Sequence, residues 1–293
     1  MAPAEKEPSK PRAILLFSCP DARGIVAEVT HFIFTYGGNV LHSSQHNDPE
    51  TETFFMRVEW DLRDFALPRD KIHSAFEPIA IKFSMNVLLE FSEVRNRLAI
   101  LVSKYDHCLF DLLLRTKEGE LDADIAMIIS NHPDTKDIAD WFSVPFHHIP
   151  VTKETKQEAE AQQINLIREA GVNLVVLARY MQILSPDFVE SFPNRIINIH
   201  HSFLPAFVGA KPYHQAFSRG VKVIGATSHY VTADLDQGPI IEQDVSRISH
   251  RDSIPDLVQK GRNLEKLVLS KAVRLHLEHR VLVFNNKTVV FDY

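Results

Sequence analysis

The sequence predicts an α/β protein of two domains. An N-terminal ferredoxin-like β-α-β-β-α-β unit precedes a Rossmann-like domain with a mostly parallel sheet. Three observations predict this. Over residues 12–92, short apolar runs and helical spacings alternate in the β-α-β-β-α-β order. After Glu93-Val94-Arg95-Asn96 the rhythm changes to single apolar strands separated by helical stretches, the pattern of parallel crossovers. The length, 293 residues, suits about two domains at roughly 100–200 residues each.

Each element has a local reason. Ala13–Ser18 is a short apolar run, read as a strand, and Cys19–Gly24 is turn-like. Ile25, Val26, Val29, Phe32 and Ile33 share one helical face, which Gly37-Gly38 ends. Asn39–His46 and Thr53–Leu62 read as a hairpin, Lys71–Phe83 as a helix that Pro78 must kink or shorten, and Ser84–Phe91 as a last strand. In the second domain Leu98–Val102, Ile125–Ile129, Phe146–Val151, Leu174–Ala178 and Arg195–His200 read as strands. Helical patterns intervene at 106–117, 135–142 and 155–170. Ser185-Pro186 supplies an N-cap and a first helical residue. Val221–Val231 and Pro239–Ile248 are two further strands, 252–279 a long helix, and Val281–Phe291 a hairpin turning at Asn285-Asn286. The expected organisation is a tail over 1–11, a first domain over 12–92, a linker over 93–97 and a second domain over 98–293.

Composition excludes several classes. Two cysteines build no disulfide framework, so a reducing, cytoplasmic setting is expected. The first eleven residues have neither an apolar core nor an Arg-rich, acid-poor bias, so they read as no targeting segment. No apolar run reaches the 18 or so residues of a membrane span. The net charge of -6 argues against a nucleic-acid partner, which would need clustered Lys and Arg. Only 10 of the residues are Gly, and no Gly-rich phosphate loop occurs. The 15 His invite a zinc reading, but none shows the spacings of a zinc site, so no metal is expected.

The chemistry concentrates in 198–238. Asn198 and His200 lie two apart at the end of a strand, so both side chains point to one side. Ligands of parallel sheets bind outside the carboxyl ends of strands. Asp236 sits in the loop before Gly238-Pro239. An amide donor, an imidazole and a carboxylate suit acyl-type chemistry. Asn and protonated His can donate to a developing oxyanion, and Asp can fix the His and move protons. His229, on the strand before the Asp236 loop, is expected to flank them. Adjacent helix residues do not face each other, so His107-Cys108 reads as structural.

These residues sit in recognisable motifs. IINIHHSFLPAFVGAKPYH (196–214) with IGATSHYVTADLDQGPII (224–241) resembles the formyltransferase-fold enzymes that use 10-formyltetrahydrofolate. VVLARYMQILSPDFV (175–189) resembles their folate-binding segment, and the N-terminal unit with CPDARGIVAEV resembles an ACT domain. ACT followed by such a domain is the architecture of the formyltetrahydrofolate deformylase family, which the chain resembles over about residues 12–293.

The resemblance implies hydrolysis of 10-formyltetrahydrofolate to formate and tetrahydrofolate, with the folate as substrate and no cofactor. It implies Asn198, His200 and Asp236 as catalytic residues. It implies that Arg179, Met181, Gln182, Ile183, Leu184 and His229 line the substrate. Gln182 stands where relatives usually carry Arg. An ACT domain implies a homo-oligomer, and either an amino-acid sensor with its effector near the loop 19–24 or an oligomerisation module with no ligand.

Two alternatives remain in view. One is glycinamide ribonucleotide formyltransferase-like transfer to an amine, and the other a catalytically silent folate-binding amino-acid sensor. The transferase needs a Gly-rich phosphate turn after the first strand of its catalytic domain. Here Ser103–Cys108 contains no glycine, and Asp106 would repel a phosphate.

Overall fold

The computed structural model describes residues 11–205 and 212–292. Residues 1–10 of the expected tail, and 206–211 of the 196–214 motif, lie outside the described residues. The chain divides into two units. One comprises the residues up to Arg95 with His279–Phe284 and the chain from Val289 on, and the other Asn96–Glu278 with Asn285–Thr288.

The first unit runs β1 (Arg12–Pro20), α1 (Ile25–Thr35), β2 (Asn39–Asp48), β3 (Thr53–Asp61), α2 (Arg69–Lys82) and β4 (Asn86–Phe91). Its sheet is antiparallel in the order β2-β3-β1-β4. α2 continues through Pro78. Strand alternation sorts β3 into two faces. Phe54, Met56, Val58 and Trp60 pack with Ile25, Val29, Phe32, Ile33, Ile72 and Phe76 of the helices. Phe55 faces the other way with Ile14 and Leu16 and is covered by Leu282, Phe284 and Phe291.

Leu282 and Phe284 belong to β12 (Val281–Phe284) of the C-terminal hairpin and Phe291 directly follows its second strand, β13 (Lys287–Val290), both numbered after the elements of the second unit given below. The sequence reading assigns 98–293 to the second domain, whereas the hairpin legs belong to the first unit. The reason is burial. β1 and β3 are apolar on both faces, and the second face needs a cover that local sequence cannot supply. Arg57 and Glu59 are also on that face, buried and paired at 2.8 Å, and Arg57 Nε donates to the His279 carbonyl at 2.8 Å.

His279 carries a pH consequence. Burial, then the Arg57 charge, pushes its imidazole down to about 4. A histidine held neutral gives stability that is present above the ordinary pKa of about 6.5 and lost as pH falls towards the folded value. Unfolding by urea should therefore become easier between about pH 6.5 and 4, by up to about 3 kcal/mol for such a shift. In His279→Gln that slope should flatten; an unchanged slope would remove His279 as its source.

The second unit contains β5 (Asn96–Val102), α3 (His107–Glu118), β6 (Ala123–Ser130), α4 (Lys136–Phe142), β7 (Phe146–His148), α5 (Lys156–Glu169), β8 (Leu174–Ala178), α6 (Pro186–Ser191), β9 (Ile196–His200), α7 (Pro212–Arg219), β10 (Val223–Tyr230), β11 (Ile240–Arg247) and α8 (Ile254–Leu277). The sheet order is β11-β10-β9-β8-β5-β6-β7. β9 to β7 are mutually parallel, and β10 and β11 are antiparallel additions. β5 and β8 are buried almost throughout, as strands covered by helices on both faces must be. Ser185 caps α6 by accepting from the Phe188 N–H, and α8 begins with a Ser253/Asp256 capping box. The chain leaves β5 for β6 on one side and β8 on the other, which opens a crevice at the carboxyl ends of the strands. No described helix is long and apolar enough to cross a membrane.

Candidate active site

Two strand ends and one loop converge at that crevice. Asn198 and His200 project from the end of β9. β10 runs antiparallel beside it, with His229 opposite Asn198. A register shift between Ser228 and His229 marks a bulge, the device that re-aims a side chain at a sheet edge. Asp236 lies in the loop between β10 and β11 at φ 55, the left-handed region that Asp tolerates better than most residues. Gly238 fixes this loop. A Cβ there would lie 1.7 Å from the Tyr230 carbonyl oxygen, so only glycine permits the approach.

The four side chains meet. His200 Nδ1 lies 3.2 Å from Asp236 Oδ1, and His229 Nε2 lies 3.7 Å from the same oxygen. Asn198 Nδ2 is 3.2 Å from His229 Nε2. A carbonyl only accepts, so His229 Nδ1, 2.8 Å from the Tyr230 oxygen, carries a proton. The ionised Asp236 likewise assigns a proton to His200 Nδ1. That leaves His200 Nε2 buried and without a hydrogen-bond partner among the described residues. His200, then His229, hydrogen-bond the Asp236 carboxylate and hold its pKa far below the usual range against the opposing cost of burial.

A cavity of about 300 Å³ adjoins this cluster, lined by Arg179 to Leu184, Asn198 to His201 and Val231 to Asp236. Met181 and Ile183 expose apolar side chains to it, while Leu184 is buried. The Met181 N–H donates to Ser103 Oγ at 3.0 Å, and that hydroxyl donates to Asn131 Oδ1 at 2.7 Å, so one serine ties this wall to the ends of β5 and β6. The arrangement offers a partly apolar cavity beside polar groups able to stabilise a negative oxygen and move a proton.

A family model for formyl transferases matches residues 96–273. A formyltetrahydrofolate deformylase of Synechocystis is 56% identical over 279 residues, covering 95% of this chain and 98% of that one. The crystal structure of a formyltetrahydrofolate deformylase from Pseudomonas syringae superposes with a TM-score of 0.94 at 49% identity, over 97% of this chain and 95% of the other. The chain belongs to the formyltetrahydrofolate deformylase family. Glycinamide ribonucleotide transformylases keep only part of the likeness. Glycinamide ribonucleotide transformylase 1 from Symbiobacterium toebii matches at TM-score 0.65 and 31% identity, over 69% of this chain and 97% of that one.

Within this formyltetrahydrofolate deformylase fold, every residue expected at the site lines the one cavity. Arg179 differs from the others in its engagement. Its guanidinium lies over the Tyr105 ring, 5.2 Å from the centroid, and its Nε is 3.5 Å from Glu265 Oε2. Its backbone is left-handed, φ 63, which no sequence rule foresaw for Arg. Two residues set aside in the sequence also gather here. His107 and Cys108 each approach Glu265, and potential ligand atoms of the three lie within 4.8 Å of one another. The trio is a poor metal site. Glu265 already accepts from His107 and Tyr213 and neighbours a guanidinium, and burial holds the Cys108 thiol protonated. Glu265 was missed. Its signal was a carboxylate on the apolar stripe of α8, four residues after Gly261 and between Leu264 and Val268.

Proposed function

We infer that this chain hydrolyses 10-formyltetrahydrofolate to formate and tetrahydrofolate, with Asn198, His200 and Asp236 as the catalytic residues. The carrying observation is His200: its Nδ1 is taken by Asp236, and its buried Nε2 has no partner among the described residues and lies beside the cavity. Family membership supports the reaction.

The pterin rests against Met181, Ile183 and Leu184. The formyl carbon lies near Asn198 and His200. Water bonds to that carbon, and the carbonyl oxygen becomes an oxyanion. Asn198 Nδ2–H and protonated His200 Nε2–H stabilise it, a contribution realised mainly in the transition state. The C–N10 bond then breaks. The attacking water loses a proton and N10 gains one, with Asp236 and His200 as the relay, directly or through water. His229 holds Asn198 and Asp236 in place. No thiol takes part, since both cysteines are buried and their pKa values are raised by burial. No cofactor is required.

The first unit reads as an ACT domain on its β-α-β-β-α-β order and β2-β3-β1-β4 sheet. Its proposed roles are homo-oligomer formation and binding of an amino acid near the loop 19–24, in a cytoplasmic enzyme. Calorimetry against the twenty amino acids tests the effector; binding of none leaves assembly alone.

Incubation with 10-formyltetrahydrofolate and no amine should release formate and tetrahydrofolate in equal amounts. Turnover that appears only when glycinamide ribonucleotide is added would sink the reading.

A further inference from the structure

The loop that carries Asp236 spans 231–239, between β10 and β11. The Val231 N–H ties its start to the Ile196 carbonyl at 2.9 Å, and the Tyr230 N–H ties its end through the Pro239 carbonyl at 2.9 Å. Between these tethers Ala233, Asp234, Leu235 and Gln237 are exposed. Two bonds there stay inside the loop. Thr232 Oγ1 donates to the Asp234 carbonyl at 3.1 Å, and the Gln237 N–H donates to the same oxygen at 3.3 Å. Bonds of that kind shape a loop without fixing its place.

Two further bonds fix the place, and their donors come from the end of the chain. Asn286 Nδ2 donates to the Gln237 carbonyl at 2.9 Å, and Thr288 Oγ1 donates to the Ile240 carbonyl. They take hold on either side of Gly238-Pro239, and the first acts on the residue next to Asp236. Both donors lie in Asn285–Thr288, the tip of the C-terminal hairpin, which is part of the second unit. The turn is suited to presenting that amide. Asn285 sits at φ 54, a left-handed conformation that Asn adopts more readily than most residues. Asn286 follows it, exposed to solvent, with its side-chain donor spent outside the hairpin.

We propose that Asn286 is a positioning residue for the reaction: by holding the Gln237 carbonyl it keeps the Asp236 carboxylate on His200. The proposal rests on the deformylase reading and deepens it. Asp236 Oδ1 lies 3.2 Å from His200 Nδ1 and 3.7 Å from His229 Nε2. A drift of about 0.5 Å would take the first contact beyond hydrogen-bond range. Proton relay through Asp236 then fails in proportion, because catalysis depends steeply on the placement of the reacting groups. Asn286 is not among the described residues lining the cavity, so it acts on the folate only through the loop.

The test compares the full-length wild type with Asn286→Ala, Asn286→Asp and Asn286→Gln. One readout needs no substrate. Amide hydrogen exchange over 231–239 should quicken by about 5-fold in Asn286→Ala, the scale of one neutral hydrogen bond. Asn286→Asp keeps the size, but an ionised carboxylate only accepts, so it should behave like Asn286→Ala. Asn286→Gln keeps an amide donor and should recover towards the wild type. Lys287→Ala, at an exposed neighbour, should change nothing.

The other readout is formate release. In Asn286→Ala and Asn286→Asp, kcat should fall by about 5–10-fold, with a smaller rise in KM. In an Asp236→Asn background the same substitutions should cost almost nothing, because the group they position is gone.

Wild-type kcat in the folded Asn286→Ala and Asn286→Asp variants overturns the proposal, as does wild-type exchange over 231–239. A loss confined to KM, or one undiminished in the Asp236→Asn background, overturns it as well. A wild type that releases no formate without an amine removes the deformylase reading instead, and the exchange readout still decides whether Asn286 holds the loop.

Discussion

Asp236→Asn should lower kcat by about 10²-fold or more, the scale of general acid–base catalysis. Asparagine keeps the size of the side chain and tolerates the left-handed backbone at φ 55, so the loop should hold its shape. It cannot accept a proton, and it cannot oppose a charge on His200. The carboxyl's depressed pKa adds a second expectation. Its stabilisation is present above the ordinary carboxylate range and is lost only as pH falls through the lower folded value. The wild-type pH–rate profile should therefore carry no inflection from Asp236 around pH 4. Melting near the wild-type temperature together with near wild-type turnover would show that the carboxylate moves no proton.

Asn198→Ala should lower kcat by about 10²–10³-fold, the cost of removing one oxyanion donor. The KM for the folate should change little, because the apolar lining at Met181, Ile183 and Leu184 is untouched. The opposite split, a raised KM with kcat preserved, would make Asn198 a substrate-binding residue. A double variant with Asp236→Asn should lose less than the product of the two single effects. Both residues contact His229, and residues acting as a unit are not additive.

Much of this site was legible because its parts are local. Asn198 and His200 share a face through strand period two, and they stand where parallel strands end. Ser185-Pro186 caps a helix by rules that act within four residues, and the structure has that cap. Other parts depend on contacts remote in sequence. His229 reaches the cluster through a bulge that periodicity does not announce. Arg179 takes a left-handed backbone and leans on Glu265, 86 positions away in the numbering. Adjacent helix residues point apart, yet His107 and Cys108 both come to Glu265 because α8 packs against α3.

The sequence by itself determined the order of elements, the two units' internal strand patterns and the motif carrying Asn198, His200 and Asp236. Those follow from propensity, periodicity and spacing, which act over a few residues. Tertiary structure alone decided two things. Each apolar face needs a cover, so the second face of β1 and β3 recruited Leu282 and Phe291 from the end of the chain. A buried charge needs partners, so Glu265 drew in His107, Tyr213 and Arg179 from three separate segments. Burial is satisfied by whichever residues the fold brings near, and no local pattern names them in advance.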